Sequence, residues 1–132
     1  MRVTADTNIL VRAVMGDDRS QATAAEKLLL RAELVAITLP CLCELAWVLR
    51  AVYRLQRAEI AEAIESLIDT ENVVVNRLAA EAGLALLKAG GDFADGVIAW
   101  EGRSLGGETF VSFDRKAVAA MTGLGETARV LE

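Results

Sequence analysis

Short apolar runs alternate along this chain with stretches whose apolar residues recur at helical spacing. Arg2 to Ala5 reads as a first strand and Thr7 to Val14 as a short helix. Ser20 is the expected N-cap of a helix reaching Arg31, with Leu28 and Leu29 inside it. Leu34 to Thr38 is the second strand. Pro40 then falls in the first turn of a helix running to Tyr53, with Cys41, Leu45, Val48 and Val52 as its apolar stripe. Arg57 to Ile68 is amphipathic through Ile60, Ile64, Leu67 and Ile68. Asn72 to Val75 is a third strand, and the helix from Leu78 to Lys88 stops at Gly90. A helix from Asp92 to Ser104, a strand from Thr109 to Phe113, a helix from Lys116 to Met121 and a strand from Ala128 to Leu131 complete the order. Strands separated by helices imply an α/β fold with a parallel sheet covered on both faces. No linker or internal repeat breaks the pattern, so a single domain over residues 1–132 is expected.

Composition narrows the chemistry. Apolar residues make up 54% of the chain, which is enough to build a core. The net charge of −5 means that the surface as a whole does not attract a polyanion. Contact with nucleic acid would have to come from a local basic patch or a bound cation. Histidine is absent, which excludes serine–histidine and cysteine–histidine schemes and removes a common zinc or iron ligand. Cys41 and Cys43 are two apart in a predicted helix, face different ways and are expected as reduced, buried hydrophobes. A reducing cytoplasm fits them. Asp6 interrupts any secretory h-region. Leu34 to Leu49 is too short to span a membrane and carries Pro40 and Glu44.

Asp6, Glu44, Asp95 and Asp114 each stand where an apolar run gives way to a helix. At the C-terminal ends of parallel strands they would lie along one sheet edge, where α/β proteins build sites. Each has a simpler account. Asp6, Asp92 and Asp114 can cap helices, and Asp95 can serve as the N3 partner of a capping box begun by Asp92. Glu44 and Asp95 fit caps less well, because each is expected on or beside an apolar helix face with no Lys or Arg one turn away. An unpartnered carboxylate there is costly. A Mg²⁺ or Mn²⁺ ion, which prefers oxygen ligands, would neutralise such a cluster. Thr7, Asn8 and Ser112 are placed to orient a carboxylate or a bound water, or to make local turn hydrogen bonds. Arg12, Arg115 and Lys116 are candidate phosphate contacts near these acids. Arg50, Arg54 and Arg57 form a further stripe if their helix continues that far.

These segments resemble the PIN-domain nucleases, and most closely the VapC-type ribonuclease toxins of bacterial toxin–antitoxin pairs. The resemblance rests on DTNILVR at Asp6, a helix-borne Glu44 after a strand–Pro segment, DFADGVIA at Asp92 to Ala99, and SFDRKA at Ser112 to Ala117. It covers nearly the whole chain in family order. It implies a three-layer fold with a four- or five-stranded parallel sheet flanked by helices. By position, Asp6, Glu44 and Asp95 match the family's core acids and Asp114 its more variable fourth. The implied activity is a Mg²⁺- or Mn²⁺-dependent endoribonuclease whose metal-activated water cuts RNA phosphodiesters. The implied partners are an RNA substrate, a small antitoxin and a second copy of the chain in a homodimer.

Two other readings compete. A non-catalytic PIN-like binding module would be marked by loss of a core acid, and none is lost. A receiver-type phosphoacceptor domain would want an aspartate ending the third strand, where Asn76 stands, and a lysine ending a late strand, where the last candidate ends in Glu132.

Overall fold

A computed structural model describes all residues, Met1–Glu132. The elements are β1 (Arg2–Thr4), α1 (Thr7–Met15), α2 (Arg19–Arg31), β2 (Leu34–Ala36), α3 (Leu39–Ala51), α4 (Arg57–Ile68), β3 (Val73–Val74), α5 (Arg77–Lys88), α6 (Phe93–Ser104), β4 (Phe110–Ser112), α7 (Arg115–Gly123) and β5 (Ala128–Val130). The order is the alternation of strand and helix that the periodicity predicts. Every strand pairing is parallel, in a three-stranded sheet β1-β2-β3 and a two-stranded sheet β4-β5. The chain forms two compact units, Met1–Asn76 and Arg77–Glu132. No helix is long and apolar enough to cross a membrane.

In the first unit β2 is the central strand, and its Val35 is fully buried. The ladder continues past the strand ends, where Ala5 N–H donates to Ala36 O at 3.0 Å and Ile37 N–H to Val74 O at 3.0 Å. Leu10, Leu42, Leu45, Leu49, Ile60 and Ile64 form the buried centre around it. Asn72 ends the turn into β3, and its side-chain amide donates to Leu29 O at 2.7 Å and Ala32 O at 2.8 Å. Those bonds satisfy carbonyls at the end of α2 that the helix itself leaves open.

Helix ends correct several sequence expectations. Asp18, not Ser20, caps α2, accepting from Gln21 N at 3.0 Å. A carboxylate suits the positive end of a helix better than a hydroxyl, and Ser20 falls inside the first turn. Thr38 caps α3, with Pro40 in the first turn as expected. That helix ends at Ala51 rather than Tyr53, and Arg54 adopts a left-handed φ of 58°. The Arg50, Arg54 and Arg57 stripe therefore does not form, because Arg57 opens a separate helix. The buried face of α3 is Cys41, Leu42, Leu45, Ala46 and Leu49. At about 100° per residue this face is turned some 60° from the predicted stripe, which leaves Val52 exposed.

In the second unit α5 and α6 approach at glycines. A Cβ on Gly96 would lie 2.5 Å from Ala82 O and 2.8 Å from Gly83 Cα. The Phe93 ring occupies the space a Cβ on Gly83 would need, with Cε1 at 2.7 Å. Gly90 takes the expected left-handed conformation, φ 99°, after α5. β4 and β5 pair in register from Phe110–Ala128 to Ser112–Val130, and α7 buries Ala117, Val118 and Met121.

Candidate functional site

The first unit joins two of the predicted acids through one residue, Thr7. Asp6 follows β1 and caps α1, its Oδ1 accepting from Thr7 N at 2.7 Å. Thr7 is buried and its Oγ1 donates to Glu44 Oε1 at 2.6 Å, across from α1 to α3. Each bond occupies one carboxylate oxygen. Asp6, Thr7 and Glu44 line a cleft of about 390 Å³ together with Thr4, Ala5, Thr38, Pro40 and Cys41. Asn8 is exposed in the first turn of α1, where the cap is made by Asp6.

Glu44 departs from the expected inward position. The turn of α3 toward Leu42 and Leu45 leaves it exposed at the cleft. Desolvation is therefore not what constrains this carboxylate; the short bond from Thr7 is. Cys41 lies beneath, with Sγ 3.4 Å from Thr7 Oγ1. Burial pushes its thiol pKa up, and the charges of Asp6 and Glu44 add to that against the lowering effect of Thr7. A thiol held protonated in this way is a packing group, not a nucleophile. Neither cysteine forms a disulfide.

The second unit gathers three aspartates electrostatically. Asp95 is half-buried in the first turn of α6. Its carboxyl pKa is raised, first by burial and then by the negative charges of Asp92 and Asp114. Asp92 holds the N-cap position but makes no side-chain cap bond, so the expected Asp92–Asp95 capping box does not form. Asp114 is a true cap of α7, accepting from Lys116 N at 2.9 Å and Ala117 N at 3.2 Å. Ser112 Oγ accepts from Asp114 N at 3.0 Å and fixes the turn between β4 and α7.

The three candidate phosphate contacts differ. Arg115 is exposed and pairs at 3.3 Å with Glu132, itself exposed, an arrangement worth little in water. Lys116 is exposed. Arg12 is engaged elsewhere: its Nε donates to Gln21 at 2.7 Å and its Nη1 to Asp17 at 3.0 Å. Tyr53 OH donates to the same Asp17 at 2.7 Å. The Tyr53 hydroxyl first, and then Arg12, hold the Asp17 carboxyl below its usual range. Residues 12, 17, 21 and 53 thus clip the ends of α1 and α3 to the start of α2. Local pattern did not reveal the clip because it closes across the turn between two helices and takes Tyr53 from beyond a third.

The donors are all oxygens, the chemistry of a hard divalent cation. Burial and the neighbouring charges of Asp92 and Asp114 disfavour the charged form of Asp95, a penalty that such a cation would offset. No group of three or more Asp, Glu or Cys side chains is drawn together closely enough to hold a metal ion by itself. A family model described as PIN domain matches residues 3–121. The match runs through both compact units. Comparison with curated proteins gives no match.

Proposed function

This chain belongs to the PIN domain family, a nuclease superfamily, and we propose that it is a Mg²⁺- or Mn²⁺-dependent endoribonuclease. In this proposal residues 1–132 act as one PIN domain, and the protein is the toxin of a type II toxin–antitoxin pair. It works as a cytoplasmic homodimer silenced by a small cognate antitoxin. Family membership sets aside the receiver-type reading. The observation that carries the proposal is the Asp6–Thr7–Glu44 linkage, which builds half of the family's acid set into one cleft from β1, α1 and α3.

Asp6 and Glu44 in the first unit, and Asp95 and Asp114 in the second, would serve as metal ligands. When bound, Mg²⁺ or Mn²⁺ supplies a water-derived nucleophile near neutral pH and offsets charge on the phosphate. Thr7 keeps Glu44 in one orientation by donating to Oε1, and it leaves Oε2 for ligation. The α1 backbone does the same for Asp6 through Oδ1. Asp95, whose proton is held more tightly than usual, must lose it to serve as a ligand. Asp92 keeps the local potential negative, and Ser112 positions Asp114. Arg115 and Lys116, with Arg12 in reserve behind its clip, would contact substrate phosphates.

The test is cleavage of total RNA by the purified chain with Mg²⁺, with EDTA and with Asp6→Asn. The expected result is cutting with Mg²⁺ only, and only by the unaltered protein. Cutting that survives both chelation and the substitution would defeat the mechanism. A folded chain that binds RNA but leaves it uncut with Mg²⁺ and with Mn²⁺ would be the non-catalytic binding module instead.

A further inference from the structure

Most of the chain's aromatic residues are at least partly covered, but Trp47 and Phe113 are 65% and 78% exposed. Each stands beside a candidate acid, one in each compact unit. Isolated apolar residues on a surface need no explanation. Two exposed aromatics that both flank acids and cations call for one.

Trp47 lies on the outer surface of α3. At about 100° per residue it is almost opposite the buried Leu42, Leu45 and Leu49. Glu44, Trp47 and Arg50 follow one another along that surface three residues apart, the spacing at which helical side chains are neighbours. All three are exposed. The indole face is therefore open to solvent between a carboxylate at the cleft and a guanidinium one turn beyond.

Phe113 stands at the C-terminal end of β4, directly before the α7 cap Asp114. Exposed Arg115 and Lys116 follow it. Ser112 and Asp114 hold this turn through the bond from Asp114 N to Ser112 Oγ, so the ring is carried on fixed backbone.

We propose that Trp47 and Phe113 are stacking platforms, each taking one unpaired nucleobase of the substrate. The inference rests on the nuclease reading above and extends it to two residues that determine substrate choice. Only an unstacked base can lie flat on such a ring, so the platforms select single-stranded segments over duplex. Neighbouring cations at Arg50, Arg115 and Lys116 would hold the adjoining phosphates. Neither ring reads base identity, so pyrimidines and purines are both accepted.

The test uses the full chain, EDTA to prevent cutting, and fluorescence anisotropy with an unstructured labelled RNA of about twelve nucleotides, within the usual range of single-strand site sizes. A blunt duplex of the same sequence is the control. Trp47→Ala and Phe113→Ala should each weaken single-strand binding by about 5- to 150-fold and leave duplex binding unchanged. Trp47→Phe and Phe113→Tyr should restore most of it. Alanine variants that bind the single strand within twofold of the unaltered chain would overturn the proposal. So would a loss accompanied by dissociation of a dimer in sedimentation, which would make these rings an interface between copies. Failure of the nuclease reading is separately visible: stacking losses in a chain that never cuts RNA with Mg²⁺ would keep the platforms and remove the chemistry. Normal cutting with unchanged binding would remove only the platforms.

Discussion

Gly96 to alanine is a one-atom test of how closely α5 and α6 approach beside Asp95. The new Cβ would sit 2.5 Å from Ala82 O, 2.8 Å from Gly83 Cα and 3.0 Å from Ala82 C. All three are backbone atoms of α5, so no side chain can swing aside. The two helices would have to part by most of an ångström. Overpacking of this kind costs about 1–3 kcal/mol. Alanine's better helix propensity returns about 1 kcal/mol. With backbone as the obstacle we expect the upper end, a net loss of about 2 kcal/mol, or roughly 6–10 °C in Tm for a chain this size. Gly102 is the internal control, since it lies in the same helix and a Cβ there meets nothing within 4 Å. Gly102→Ala should be neutral or stabilising by up to about 1 kcal/mol. Thermal unfolding followed by circular dichroism at 222 nm compares the two. A Gly96→Ala protein as stable as Gly102→Ala would refute the close-approach argument.

Two further perturbations address the acids. Asp95→Asn should stabilise the metal-free protein at pH 7, because the folded state raises the pKa of this carboxyl above its ordinary 3.8. Between the ordinary and the folded values the native state holds more protons than the unfolded chain, so stability falls as pH rises through that window. The penalty is complete above it, and the advantage of the variant should vanish at and below pH 3.8. Denaturant titrations across pH check the sign, and a variant less stable than the parent at pH 7 would contradict it. Thr7→Val keeps the shape but removes the bond to Glu44. Loss of such a supporting bond should weaken Mg²⁺ binding by about 10- to 100-fold, measured by calorimetry, while Thr7→Ser should retain affinity. Equal affinity in valine and threonine proteins would show that the bond does not position Glu44.

Much of this architecture was legible from local pattern. The alternation of elements, the caps at Asp6 and Asp114 and the turn at Gly90 all depend on residues within one helical turn of each other. The part of the site that follows these caps was legible for the same reason. Glu44 was not. It stands at the boundary of an apolar stripe, and a rotation of α3 by about 60° exchanges inside for outside. The extent of α3 was also hidden, because its stop at Ala51 follows from backbone conformation at Arg54 rather than from a Gly or Pro.

Sequence alone determined that strands and helices would alternate here and that Asp6 and Asp114 would cap helices just after strands, since periodicity and capping are short-range chemistry. Tertiary structure decided that the strands pair as three and two, that Thr7 clasps Glu44, and that Arg12 is tied to Asp17 and Gln21. Those outcomes depend on partners tens of residues apart in some cases, or on which face of a helix finds a core. No local pattern encodes either.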